Sequence, residues 1–128
     1  MLERLVPIGT VLRAVYTEMR EGKVTFGRQI GTYPLLVGIP YPVDLERFYD
    51  VAVVGHGFRS ISAVEHPLNV NRCHITAMEA LPGLGRKRAI RLFKARPLVG
   101  HDDVRKALDD PKVAEAVLPF LSFDHPEH

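Results

Sequence analysis

The spacing of hydrophobic residues changes once along this chain of 128 residues. In the first half, short runs rich in β-branched and aromatic residues alternate with turns that contain glycine and proline, which is the pattern of strands. After Pro67, apolar residues recur three and four positions apart, which is the pattern of amphipathic helices. The change predicts an α+β chain of two modules, residues 1–66 and residues 67–128.

Four or five short strands are predicted in the first module. The extended segments are residues 10–17, 24–28, 35–39, 51–54 and 59–64. Frequent turns between strands this short favour a small, strongly curved sheet or barrel. Between the third and fourth segments, residues 43–49 are predicted to form one helical turn.

Four helices are predicted in the second module. The helical segments are residues 75–81, 85–96, 102–108 and 113–118. Pro82-Gly83 ends the first of them, and Pro97 stops the second because proline cannot donate the next backbone hydrogen bond. The short links between these helices predict two successive helical hairpins.

The charge of the chain is concentrated in the first predicted hairpin. The formal net charge is only +2, and residues 1–71 hold seven basic and seven acidic side chains. Residues 72–97 hold seven basic side chains against the single acid Glu79, and residues 98–128 are acidic. Such a local excess of positive charge indicates an anionic partner. A basic helix face that only keeps the protein solvated is the alternative interpretation.

The turn Leu81-Pro82-Gly83-Leu84-Gly85 has the composition of an anion site. Its glycines permit backbone conformations that a β-carbon disfavours, and they precede a helix whose first N–H groups lack intrahelical partners. A helix N-terminus of this kind binds phosphate well. The predicted phosphate-binding residues are Leu81, Gly83, Leu84, Gly85, Arg86, Lys87, Arg91 and Lys94. An ordinary tight turn between two helices is the alternative.

The sequence predicts neither catalysis nor a cofactor or metal. Cys73 is the only cysteine, and the histidines lack the spacing of metal ligands. No apolar run approaches the roughly 20 residues that span a bilayer. The N-terminus lacks the apolar segment of a secretory signal. We therefore expect a cytoplasmic, non-enzymatic protein with no membrane partner.

Three segments around the turn carry a resemblance. They are Leu68-Asn69-Val70-Asn71, Met78 to Gly85, and Ala89 with Arg96. Their pattern is similar to the helix-hairpin-helix of bacterial DNA-uptake competence proteins, and residues 98–123 resemble the second, degenerate hairpin of such tandem modules. The resemblance implies phosphate binding by the first hairpin. Two departures are His74, where the family has a serine helix cap, and Asp109-Asp110-Pro111, where it has a glycine loop. The second departure implies that the second phosphate site is lost.

The first module resembles a TRAM domain, the small OB-like barrel found on RNA-modifying enzymes. The matching segments are residues 8–12, 27–29 and 50–54. Together with residues 27–34 and the hairpin, nearly the whole chain is similar to the C-terminal region of an archaeal radical-SAM protein family. That family's catalytic CxxxCxxC motif is absent here. The resemblance implies that the barrel contributes to nucleic-acid binding, with candidate residues Arg13, Arg28, Tyr33 and Arg59.

The sequence thus predicts an OB/TRAM-like β-barrel followed by a tandem helix-hairpin-helix module of about four helices. The expected function is largely sequence-independent binding of RNA or DNA, with RNA favoured because of the barrel. The alternative function is docking to a modifying enzyme or self-association, since hairpin pairs also assemble proteins and a basic segment here is followed by an acidic one.

Overall fold

The computed structural model describes residues 6–29, 35–57 and 60–123. The chain divides into two compact units, residues 1–66 and residues 67–128. Within the described ranges, the first unit contains a closed five-stranded barrel and the second contains four α-helices. The predicted α+β class is therefore confirmed. No helix in the described part of the chain is long and apolar enough to cross a membrane.

The barrel is built from five consecutive strands. They are β1 (Val11–Glu21), β2 (Val24–Gln29), β3 (Leu36–Ile39), β4 (Phe48–His56) and β5 (Ser60–Glu65). The strand order around the barrel is β1-β2-β3-β5-β4, and β4 closes the barrel by pairing with β1. The β3–β5 pair is parallel, and the other four pairs are antiparallel.

The inside of the barrel is filled by alternate residues of the strands, as the period of two requires. Val15, Val37 and Val53 are fully buried there. Two polar residues, Thr17 and Thr25, are also fully buried. Their hydroxyl groups donate to the carbonyl oxygens of Asp44 at 2.7 Å and Tyr41 at 3.0 Å, so neither hydroxyl is left unsatisfied.

Residues 43–49 do not form the predicted helical turn. This segment instead runs alongside β1, where the Thr17 N–H donates to the Arg47 carbonyl at 3.0 Å and the Glu46 N–H donates to the Thr17 carbonyl at 2.7 Å. Glu46 adopts a φ of +59°, outside the right-handed helical region. Long-range pairing with β1 therefore replaces the local helical hydrogen bonds.

The second unit contains the helices and one short pair of strands. The helices are α1 (Ile75–Ala80), α2 (Gly85–Lys94), α3 (His101–Ala107) and α4 (Pro111–Val117). A 3₁₀ turn, Leu118–Phe120, follows α4. β6 (Leu68–Asn69) pairs in parallel with β7 (Leu121–Ser122), which joins the beginning of the unit to its end.

The core of the second unit is formed by one apolar face of each helix. Its fully buried side chains include Met78 on α1, Leu92 on α2 and Val104 on α3. Asn71 is buried as well, and its amide makes two hydrogen bonds to the backbone of Leu98, at 2.8 Å to the carbonyl and 2.7 Å from the N–H. Asn71 therefore anchors the segment that follows α2.

Candidate nucleic-acid interface

The predicted turn links α1 to α2 as a tight hairpin. The Leu84 N–H donates to the Leu81 carbonyl at 3.2 Å, and both leucine side chains are buried. Gly83 and Gly85 adopt φ values of +76° and +72°, and a β-carbon at either position would meet no atom within 4 Å. The turn therefore requires glycine for its left-handed backbone and not for close packing.

The N-terminus of α2 has no side-chain cap. The residue at the capping position is Leu84, whose buried apolar side chain cannot accept a hydrogen bond. The N–H groups of Gly85, Arg86 and Lys87 lie in the first turn of the helix, where no intrahelical acceptor exists. All three residues are exposed. The helix thus presents unpaired donors and the positive end of its dipole to solvent.

Arg86 is already engaged with a neighbouring carboxylate. Its Nη1 lies 2.9 Å from Oε1 of Glu79 on α1, and the arginine side chain is 73% exposed. An ion pair this open to water contributes little to stability, so a phosphate could replace the carboxylate at small cost. Arg86 therefore belongs to the candidate interface, with Glu79 as its partner in the free protein.

Lys87, Arg91 and Lys94 form a basic stripe on α2. Their spacing of four and three residues places them on one side of the helix, away from the buried Ala89 and Leu92. Ion pairs between described residues engage Arg86, Arg88 and Arg91 but neither Lys87 nor Lys94. Within the described part of the chain, the two lysines are therefore the cations of α2 that need break no ion pair to contact a ligand.

Arg88 and Arg91 face the loop between α3 and α4. Asp109 Oδ1 accepts from Arg88 Nε at 3.0 Å, and Asp109 Oδ2 lies 3.5 Å from Arg91 Nη1. The hydrogen bond from Arg88 lowers the pKa of Asp109 below its usual range. The sequence analysis predicted Arg91 as a site residue but neither Arg88 nor Asp109. The contact between Arg88 and Asp109 spans 21 positions of the chain, so no local pattern indicates it.

Arg96, part of the family-like pattern, has a structural role. Its Nη1 donates to the carbonyl of Cys73 at 3.1 Å and to that of Val70 at 3.4 Å. Its guanidinium lies 3.7 Å from the centre of the Phe93 ring. These contacts tie the end of α2 to the segment before α1, so Arg96 is not a free cation of the interface.

The second hairpin begins its second helix differently. Asp110 is the N-cap of α4, where its Oδ1 accepts from the Lys112 N–H at 2.9 Å and Pro111 occupies the first helical position. A carboxylate of the protein itself therefore occupies the place that an anion would take at the first hairpin.

Of the four candidate nucleic-acid-binding residues of the barrel, the structure describes Arg13 and Arg28. Arg13 Nη1 lies 2.9 Å from Oδ2 of Asp50, and Arg28 Nε lies 3.4 Å from Oε1 of Glu18. The Ala14 N–H and then the Arg13 guanidinium lower the pKa of Asp50. Tyr33 and Arg59 lie outside the described residues. Arg13 and Arg28 belong to the first unit, and the hairpin residues belong to the second.

The sequence analysis missed an aromatic pair on the outside of the barrel. Tyr16 on β1 lies directly opposite Phe48 on β4, and their ring centres are 5.0 Å apart. Phe48 is 59% exposed. On the other side of Tyr16, the directly opposite residue is Arg28 of β2. Tyr16 lies between the inward-facing Val15 and Thr17, so the strand period was a signal for its outward position.

The structure shows no candidate metal site in residues 6–29, 35–57 and 60–123. Within those ranges, no group of three or more His, Cys, Asp or Glu side chains is arranged to hold a metal ion.

Comparison with known proteins gives two archaeal relatives. The chain is 37% identical over 111 residues, 84% of its length, to an uncharacterized protein of Archaeoglobus fulgidus. It is 52% identical over 64 residues, 48% of its length, to an uncharacterized protein of Methanocaldococcus jannaschii. The matched regions cover 20% and 12% of these two proteins, so this chain corresponds to a small part of each relative. No family model matches the chain. No solved structure matches it either.

Proposed function

We propose that this chain is a non-catalytic module that binds RNA or DNA through the first helical hairpin, largely independently of base sequence. The observation that carries this proposal is the uncapped N-terminus of α2, where Gly83 and Gly85 adopt a left-handed backbone and backbone donors are left exposed. Phosphate is the common anion that fits such a helix end.

The basic stripe extends this proposed phosphate site along the helix. From Lys87 to Lys94 the helix rises about 10 Å, because each residue adds about 1.5 Å. That length allows the stripe to contact more than one phosphate of a strand. Backbone N–H groups and lysine side chains aimed at phosphates do not read base edges, so the proposed binding depends little on sequence.

In this proposal the four helices are a tandem helix-hairpin-helix module and the barrel is of the OB type, similar to a TRAM domain. The β1-β2-β3-β5-β4 order of a closed five-stranded barrel supports the OB assignment. The outward-facing pair of half-buried Tyr16 and exposed Phe48, beside Arg28, supports a role for the barrel, since aromatic rings stack with unpaired bases. RNA is the favoured partner because the barrel is similar to the TRAM domains of RNA-modifying enzymes.

The test uses two double variants with equal loss of charge. Lys87→Ala with Lys94→Ala removes the two cations of α2 that have no ion pair among the described residues. Lys106→Ala with Lys112→Ala removes two lysines of α3 and α4 that are also exposed and outside the ion pairs between described residues. Binding of single-stranded RNA is measured by fluorescence anisotropy at several salt concentrations. We expect the α2 variant to bind more weakly, with a log–log salt slope flatter by about 1.4, or about 0.7 per lost phosphate contact.

The control variant is expected to keep most of the affinity and slope of the parent. Equal weakening by both double variants would show that only net charge matters and that the hairpin is not the site. A parent protein with no salt-dependent binding to RNA or DNA would refute the proposed function.

Docking to another protein, such as a modifying enzyme, or self-association is the second candidate function. It is favoured by the large apolar side chains exposed on the barrel, including Phe48 and Met19 at 59% and 49% exposure. Replacing both by serine tests this alternative by sedimentation velocity. If the parent self-associates and the variant does not, the barrel surface is an interface between copies.

A further inference from the structure

The loop of the second hairpin reaches the helix of the first. Residues 108–110 connect α3 to α4, and the two oxygens of Asp109 face two different guanidinium groups of α2, those of Arg88 and Arg91. Oδ2 of Asp110 lies 3.9 Å from Arg88 Nη2. Two of the five cations of α2 are therefore held by carboxylates from the neighbouring hairpin.

Asp109 does not serve as a helix cap. The cap of α4 is Asp110, whose Oδ1 accepts from the Lys112 N–H. Asp109 is half exposed, at 55%, and its ion pairs with described residues are those to Arg88 and Arg91. A carboxylate that bridges two arginines offers them the same kind of oxygen acceptors as a phosphate group.

We propose that Asp109 is an internal competitor of phosphate, which sets how many phosphates the first hairpin binds by occupying Arg88 and Arg91. This inference rests on the proposed function. An exposed ion pair is weak in water, but it must be broken before either arginine can contact a phosphate. Loss of the Asp109 carboxylate frees Arg91 from this ion pair and leaves Arg88 with the longer, 3.9 Å contact to Asp110. The protein without that carboxylate therefore binds phosphate more tightly than the natural sequence.

The test compares Asp109→Asn with Asp102→Asn. Both changes keep the size of the side chain and raise the net charge by one. Asp102 is paired with Arg105 within α3, at 2.9 Å, and no ion pair between described residues joins it to α2. Binding of single-stranded RNA to each full-length variant is measured between 0.1 M and 1 M salt, after thermal melting has shown that the variants fold like the parent.

We expect Asp109→Asn to steepen the log–log salt slope by about 0.7 for each phosphate gained, which is about a five-fold gain in affinity at 0.1 M relative to 1 M salt. Asp102→Asn is expected to leave the slope unchanged. Unchanged or weaker binding by Asp109→Asn would overturn the inference, as would equal gains from both variants, while the proposed function would stand.

A second measurement decides the inference if the parent binds no nucleic acid. Inorganic pyrophosphate is titrated into isotopically labelled parent and Asp109→Asn protein, and the Nε–H resonances of Arg88 and Arg91 are followed by NMR. Shifts at lower pyrophosphate concentration in the variant would support competition by Asp109. The same midpoint in both proteins would refute it.

Discussion

The two helical hairpins start their second helices by opposite means. Leu81 and Leu108 occupy equivalent places, since each is buried and its N–H donates to a carbonyl of the preceding helix. From Leu81 the chain makes a glycine turn and enters α2 without a cap, whereas from Leu108 it passes through Asp110, which caps α4. The next fully buried alanine after Leu81 is Ala89, and the next one after Leu108 is Ala114. The second of these segments is shorter by two residues, so the second turn is the tighter one.

The first turn thus leaves N–H donors at a helix start exposed, and the second satisfies such a donor with a side chain of the protein itself. A helix that begins at a left-handed glycine such as Gly85 leaves its first donors exposed, while a helix capped by an aspartate uses one of them internally. The second hairpin then directs its other carboxylate, Asp109, at the cations of the first. In the proposed function, the first hairpin is the binding element and the second supports and limits it.

The largest expected effect comes from replacing a left-handed glycine of the first turn by a residue that carries a β-carbon. Gly85→Ala places a β-carbon on a residue at φ +72°, which costs about 1–2 kcal/mol in the left-handed region. For a unit of this size we expect a melting temperature lower by about 4–8 °C per kcal/mol, measured by circular dichroism.

Gly100→Ala is the matched control for that change. Gly100 precedes α3 in extended backbone, at φ −164°, and a β-carbon there also meets no atom within 4 Å. Gly100 is also the N-cap of α3, where alanine is less favourable than glycine, so we expect a small drop in melting temperature that stays below that of Gly85→Ala. A Gly85→Ala protein as stable as the parent would show that the turn tolerates side chains and that the contrast between the hairpins does not depend on glycine.

Removal of the cap of the second hairpin is expected to have a smaller effect. Asp110→Ala deletes the acceptor for the Lys112 N–H and should cost about 1 kcal/mol, whereas Asp110→Asn keeps an acceptor oxygen and should cost much less. Chemical denaturation of the three proteins measures the difference. If the asparagine variant loses as much stability as the alanine variant, the charge of Asp110 matters and its capping hydrogen bond does not.

The smallest expected effect concerns the titration of Asp109. Because Arg88 lowers its pKa in the folded state, the stabilising contribution of Asp109 is present above the pKa of the unfolded chain and is lost as the pH falls through the lower folded value. Carbon-13 NMR of the Asp109 carboxyl should therefore show a midpoint below 3.8, its ordinary value. In Arg88→Gln the midpoint should rise towards that value, and an unchanged midpoint would contradict the ion pair.

The sequence analysis predicted elements whose signals are local. The β-branched runs around Val15 and Val53 became strands of the barrel, and the apolar spacing through Ala89 and Leu92 became α2. The glycine turn was also recognisable, since few residues besides glycine adopt positive φ at low cost. The nucleic-acid function assigned to that turn stays a prediction.

By itself, then, the sequence determined the periods of the strands and helices and the composition of the turn, because these depend on neighbours a few positions apart. Only the tertiary structure decided that residues 43–49 follow β1, that Arg96 binds carbonyl groups, and that Asp109 faces Arg88. It also brought Tyr16 and Phe48 together across 32 positions. Each of these outcomes depends on a partner distant in sequence, and the packing of the whole unit selects that partner.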